Sequence, residues 1–129
     1  MEPILFNSEK TFILLDYSPS HSELIIRHIG RDGAFNVDIF FKGVYYINLV
    51  REFKHLSISE MDRASFLKDY QLNFDLDIST KLFCLEDSNR QRYIVAAYYF
   101  AIFENRLEML ESPLGDFLWS NDNKQVYIS

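Results

Sequence analysis

Few stretches of this 129-residue chain gather the side chains that chemistry needs. The densest is Asp16-Tyr17-Ser18-Pro19-Ser20-His21-Ser22, which supplies the acid, base and hydroxyl of a nucleophilic triad. Neighbours on one loop rarely reach triad geometry, and Asp and Ser beside Pro bond their own backbone, so the stretch reads as a turn. His21, His28 and His55 are the three histidines. Two of them with Asp16 or Asp38 would suit zinc or iron, but their spacings match no ligand pattern. Asn73, Asp75 and Asp77 repeat side-chain oxygens at every second residue, as a calcium loop does at its start. The glycine that such a loop needs next is Ile78 here. The row reads instead as the acidic face of a strand, and Asn73, Asp75 and Asp77 are the predicted protein-binding residues, suited to a basic partner.

Other chemistries fall away on composition. The four glycines, at 30, 33, 43 and 115, write neither a dinucleotide fingerprint nor a phosphate loop. No Gly-x-Ser-x-Gly, His-Glu-x-x-His or Cys-x-x-Cys occurs. Cys84 is the single cysteine, with apolar neighbours and no Lys, Arg or His within two residues. It reads as a core thiol, and it rules out an internal disulfide. No cofactor and no metal are expected, and the chain points away from an enzyme. Two alternatives stay open: acid/base chemistry by paired carboxylates, whose separation is invisible in sequence, and a small apolar ligand held in a β roll or barrel. For the latter, Tyr45, Tyr98, Phe100 and Trp119 are the predicted cavity residues, from a chain with 12 Phe and 8 Tyr.

The net charge is −6, with 11 acidic against 7 basic residues after position 60 and 8 against 6 before it. A nucleic-acid backbone or an anionic membrane would be repelled on average. The N-terminus lacks the basic start of a secretory signal, and the longest apolar run, Tyr93 to Phe103, is shorter than the ~20 residues of a membrane helix. These features predict a cytoplasmic protein of one domain, 1–129.

The elements that would position these residues centre on Phe35 to Leu49. Phe35, Val37, Ile39 and Phe41 share one face of an extended chain, with Asn36, Asp38 and Lys42 on a solvated opposite face. Lys42-Gly43 is either a reversal or a bulge in one long bent strand, and the bulge is preferred. Thr11 to Asp16 and Glu23 to Ile29 read as earlier strands, the second joined to the central one by an Asp32-Gly33 hairpin. Ser57 to Glu60 resembles a capping box, predicting a helix near 58–70, with Ser59 and Asp62 a close second. Leu72 to Ile78 alternates as a strand, Lys81 to Glu86 is another strand-like run with Leu82, Phe83, Cys84 and Leu85, Asp87 to Arg90 reverses the chain, and Gln125 to Ile128 suits an edge. Tyr93 to Phe103 is apolar throughout. A strand turning at Glu104-Asn105-Arg106 is favoured over a buried helix reaching Leu110.

The sum is a mainly β chain, an antiparallel meander forming a roll, half-barrel or small sandwich with one short helix; an α+β fold follows if 93–110 is helical. The predicted role is non-enzymatic protein interaction, as an adaptor or stoichiometric inhibitor. Its partner would be a protein, basic or a second copy of the chain in a homodimer, with no nucleic acid or membrane involved.

Overall fold

The computed structural model describes residues 3–70, 78–108, 110–114 and 124–128. Among these, nine strands and one short helix follow in the order β1 (Ile4–Ser18), β2 (Glu23–His28), β3 (Asn36–Lys42), β4 (Tyr46–Asn48), β5 (Glu52–Met61), α1 (Arg63–Tyr70), β6 (Lys81–Glu86), β7 (Arg92–Ala97), β8 (Tyr99–Asn105) and β9 (Lys124–Ile128). The strands form one antiparallel sheet, β4-β7-β6-β5-β1-β2-β3-β8-β9. Two meanders, β1-β2-β3 and β5-β6-β7, are joined along β1 and β5. The strand predicted over Leu72 to Ile78 lies almost wholly outside the described residues.

Hairpin chemistry sets much of this order. Asp32 and Gly33 both take positive φ, 56° and 85°, and Ala34 N–H closes the turn on the Arg31 carbonyl at 3.0 Å. The two central residues must both be left-handed in such a turn, which Asp and Gly tolerate. Register follows from the turn, with Arg27 opposite Asp38 and Glu23 opposite Lys42. At the β6–β7 hairpin, Asp87 Oδ1 accepts from the amides of Asn89 and Gln91, and Arg90 takes the left-handed position.

The sheet is rolled rather than flat. Phe83 on β6 lies 5.9 Å from the Phe41 ring on β3 and 5.2 Å from Phe100 on β8. In the strand order β6 and β3 are four steps apart, roughly 19 Å across a flat sheet. Two chain segments stitch the roll. Residues 92–105 supply both β7 and β8, broken only at Tyr98, and 36–48 supply β3 and β4, broken at 43–45. Lys42 pairs with Tyr99, whereas Tyr46 pairs with Ala96. Three residues therefore oppose two: a bulge, with Gly43 at φ 70°. The preferred reading of Lys42-Gly43 holds, and Tyr93 to Phe103 is strand, not helix.

Side chains fill the interior of the roll. Phe12, Leu24, Ile26, Ile39, Phe41, Phe53, Leu56, Ile58, Phe83, Leu85, Val95 and Phe100 form one buried cluster. Burying each aromatic or aliphatic side chain contributes about 1.5–3 kcal/mol. On the outside, α1 sets Phe66 against Met61, Leu82, Cys84, Ile94 and Ala96. A second outer patch joins Ile25, Phe40, Ala101 and Phe103 under Leu114.

Three expectations are corrected. The helix begins at Arg63, not near 58, because Ser57 to Glu60 belong to β5 and pair with β6. Its cap is Asp62, whose Oδ2 accepts from Ser65 N–H at 3.2 Å. A bulge hid the strand: His55 sits at φ 67°, which shifts the phase so that Phe53, Leu56 and Ile58 all face inward. Asn36 and Asp38 are buried rather than solvated. Finally, β8 runs straight through Asn105 instead of turning at 104–106.

Candidate functional site

The solvated face expected for Asn36 and Asp38 is the foundation of a buried polar network. Arg27, opposite Asp38 in register, donates from Nε and Nη2 to Asp38 Oδ1 and Oδ2 at 2.6 and 2.8 Å. Both residues are 0% exposed. Arg27 Nη1 donates onward to the carbonyls of Glu108 (3.1 Å) and Glu111 (2.8 Å). Asn105 Nδ2 donates to Asp38 Oδ2, and Asn36 Nδ2 donates to Asn105 Oδ1 and to the Leu107 carbonyl. A planar guanidinium meeting a carboxylate in two parallel bonds is the strongest form of such a pair. The network fastens the segment after β8 across the outer sheet face. Its task is structural, since every ionised group in it is already matched.

At one end of the roll the two stitches meet. Tyr98 N–H donates to the Lys42 carbonyl and Tyr45 N–H to the Ala96 carbonyl, each at 2.8 Å. The β1–β2 turn comes to the same place, with Ser22 at φ 53° and its carbonyl accepting from Val44 N–H at 3.0 Å. Between them is an open depression of ≈450 Å3, lined by His21, Ser22, Lys42, Gly43, Val44, Tyr45, Thr80 and Tyr98. Tyr45 is 59% and Tyr98 46% exposed, and the Tyr98 ring lies on Gly43 where any Cβ would collide with it. Lys42 Nζ donates to Glu23 Oε2 at 2.9 Å and to the His21 carbonyl at 3.2 Å.

Of the predicted cavity residues, Tyr45 and Tyr98 share this mouth. Phe100 is packed in the interior against Phe41 and Phe83, and Trp119 lies outside the described residues. The predicted protein-binding residues Asn73, Asp75 and Asp77 also lie outside them. The loop around His21 brings Ser20 Oγ within 3.0 Å of its Nδ1, but no carboxylate bonds to that ring among the described residues. His28 Nδ1 meets the Thr11 carbonyl, and His55 Nε2 meets Asn7 Oδ1, both at 2.9 Å. Among the described residues no three His, Cys, Asp or Glu side chains group so as to hold a metal ion.

Cys84 departs from its expected surroundings, because Arg92, eight residues away, donates from Nε to its Sγ at 3.1 Å across the β6–β7 hairpin. The thiol remains buried. Two carboxylates, Asp38 and Glu23, are buried on this outer face, each beside a cation. Their backbone positions are offset by four residues along the β2–β3 hairpin, roughly 13 Å.

The network was within reach of the sequence, since the Asp32-Gly33 turn alone places Arg27 opposite Asp38. The convergence of Tyr45 with Tyr98 was not, because it depends on two distant kinks meeting. No helix among the described residues is long and apolar enough to cross a membrane. Compared with protein-family models, curated proteins and solved structures, the chain matches none.

Proposed function

We propose that the protein is a non-enzymatic protein-binding module, an adaptor or a stoichiometric inhibitor, that grips its partner at the Tyr45/Tyr98 mouth. The observation that carries this reading is the pair of half-exposed tyrosines flanking an open depression where bulges and left-handed residues fix the backbone. Tyrosine offers a large amphipathic contact with few rotatable bonds, and it is enriched among residues that dominate binding energy. Ordering such a surface before contact removes part of the entropy cost of association. The net charge of −6 favours a basic protein through long-range steering. One buried cysteine and no disulfide suit a reducing compartment such as the cytoplasm.

The alternatives draw less support. An apolar ligand needs interior room, and aromatic side chains occupy the middle of the roll. Carboxylate chemistry on glycosides needs two free groups converging on the substrate, whereas Asp38 and Glu23 are offset by four residues in register and each is bonded to a cation. The immobilised protein should capture a discrete protein partner from its native lysate, and Tyr45→Ala/Tyr98→Ala should release it. Light scattering would reveal a second copy of the chain as that partner. A monomer that captures nothing would end this reading.

A further inference from the structure

We infer that the mouth accepts a carboxylate, presented by an acidic side chain or the C-terminus of a protein partner; this rests on the protein-binding reading above. Two exposed tyrosine rings would by themselves suit a cation as well, since their faces attract ammonium and guanidinium groups. Lys42 decides otherwise. Lys42 lines the depression, its side chain is 39% exposed, and no carboxylate residue is in the lining among the described residues. An ammonium has three donors. Two are engaged, by Glu23 Oε2 and the His21 carbonyl, which leaves one among the described residues for an incoming acceptor.

The neighbouring groups reinforce that polarity. Ser22 and Thr80 add hydroxyls to the lining, while the Ser22 and Lys42 carbonyls are already taken by Val44 and Tyr98 amides. Those two backbone acceptors are thus engaged, while the Lys42 ammonium keeps a donor among the described residues. Glu23, which is not among the lining residues, tethers the Lys42 ammonium through Oε2, while its Oε1 is buried with no hydrogen-bond partner among the described residues. The acidic chain as a whole would steer a basic protein, and this one cation would set which group of that protein enters the mouth.

The test titrates the full chain with benzoate, benzamide and benzylammonium while following the amide resonances of Gly43, Tyr45 and Tyr98. Benzoate should shift them saturably, and at least about tenfold more tightly than neutral benzamide, the discrimination expected of a hydrogen bond to a charged group. Benzylammonium should bind no better than benzamide. Lys42→Arg should keep the preference and Lys42→Met should abolish it. Because Lys42→Met strands Glu23, Lys42→Met/Glu23→Gln is measured beside it as a folded control. Equal response to benzoate and benzamide, or a preference that survives in the double variant, overturns the inference. If a captured partner is lost with Tyr45→Ala/Tyr98→Ala but binds Lys42→Met/Glu23→Gln as well as the parent, the mouth is the interface and the carboxylate assignment is wrong. Benzoate selectivity without any captured protein would instead remove the protein-binding reading and leave a site for free carboxylates.

Discussion

Asp38→Asn changes almost no volume, yet it should be among the most damaging single substitutions in the chain. The carboxylate takes two bonds from a guanidinium that is 0% exposed and one from Asn105. An amide in its place offers one oxygen and turns an N–H2 toward donors, leaving the Arg27 charge buried and partly unmatched. Breaking a buried pair from one side costs about 3–5 kcal/mol. For 129 residues an unfolding entropy of about 0.27 kcal/mol/K converts this into a fall in Tm of about 11–18 °C. Calorimetry and urea unfolding would measure it. The apolar replacement Arg27→Met/Asp38→Leu should regain much of that loss, since neither charge is then stranded. Amide exchange near Glu108 and Glu111 should nevertheless stay fast in the double variant, because their carbonyls have lost the Arg27 donor. A loss below about 1 kcal/mol in Asp38→Asn would refute the reasoning, since it would mean that the pair is effectively solvated.

Glycine substitutions should separate two causes of damage. Gly33→Ala, at φ 85° with nothing within 4 Å, should cost about 1–2 kcal/mol from backbone conformation alone. Gly43→Ala should cost more and displace the Tyr98 ring, and Gly30→Ala should be destabilised by collision with the Ala34 and Phe35 backbone, all read by thermal unfolding. Phe83→Ala should lose about 3–5 kcal/mol in urea unfolding, because its ring touches both Phe41 and Phe100 across the roll. Cys84, buried beneath α1, should resist alkylation by iodoacetamide in the native state and react fully in denaturant, as followed by mass spectrometry.

Local patterns carried much of the fold into view. Lys81–Glu86 is a strand with the bounds that its apolar run implies, and Asp32-Gly33 makes the turn that its φ tolerance allows. Aromatic and β-branched content separated strand from helix over Tyr93 to Phe103, where periodicity was silent. The misses have separate causes. Period-two reading assumes an unbroken strand, and His55 in the left-handed region moves Leu56 and Ile58 onto the face of Phe53. The polar alternation at Asn36 and Asp38 fits water or a matched network equally well; Arg27 and the carbonyls of 108 and 111 supply the network. The mouth was only half legible, with Tyr45 and Tyr98 visible as aromatics but not as neighbours.

The double membership of residues 92–105 also bears on how the chain is made. Until that segment leaves the ribosome, β3 lacks β8 and β6 lacks β7, so both flanks of the nascent sheet present unmatched amides and apolar rings to the cell. Both flanks are therefore completed only after one late stretch of the chain has been made. Synonymous codons that slow elongation just before residue 92 would lengthen that exposure and increase dependence on chaperones, without changing a single amino acid.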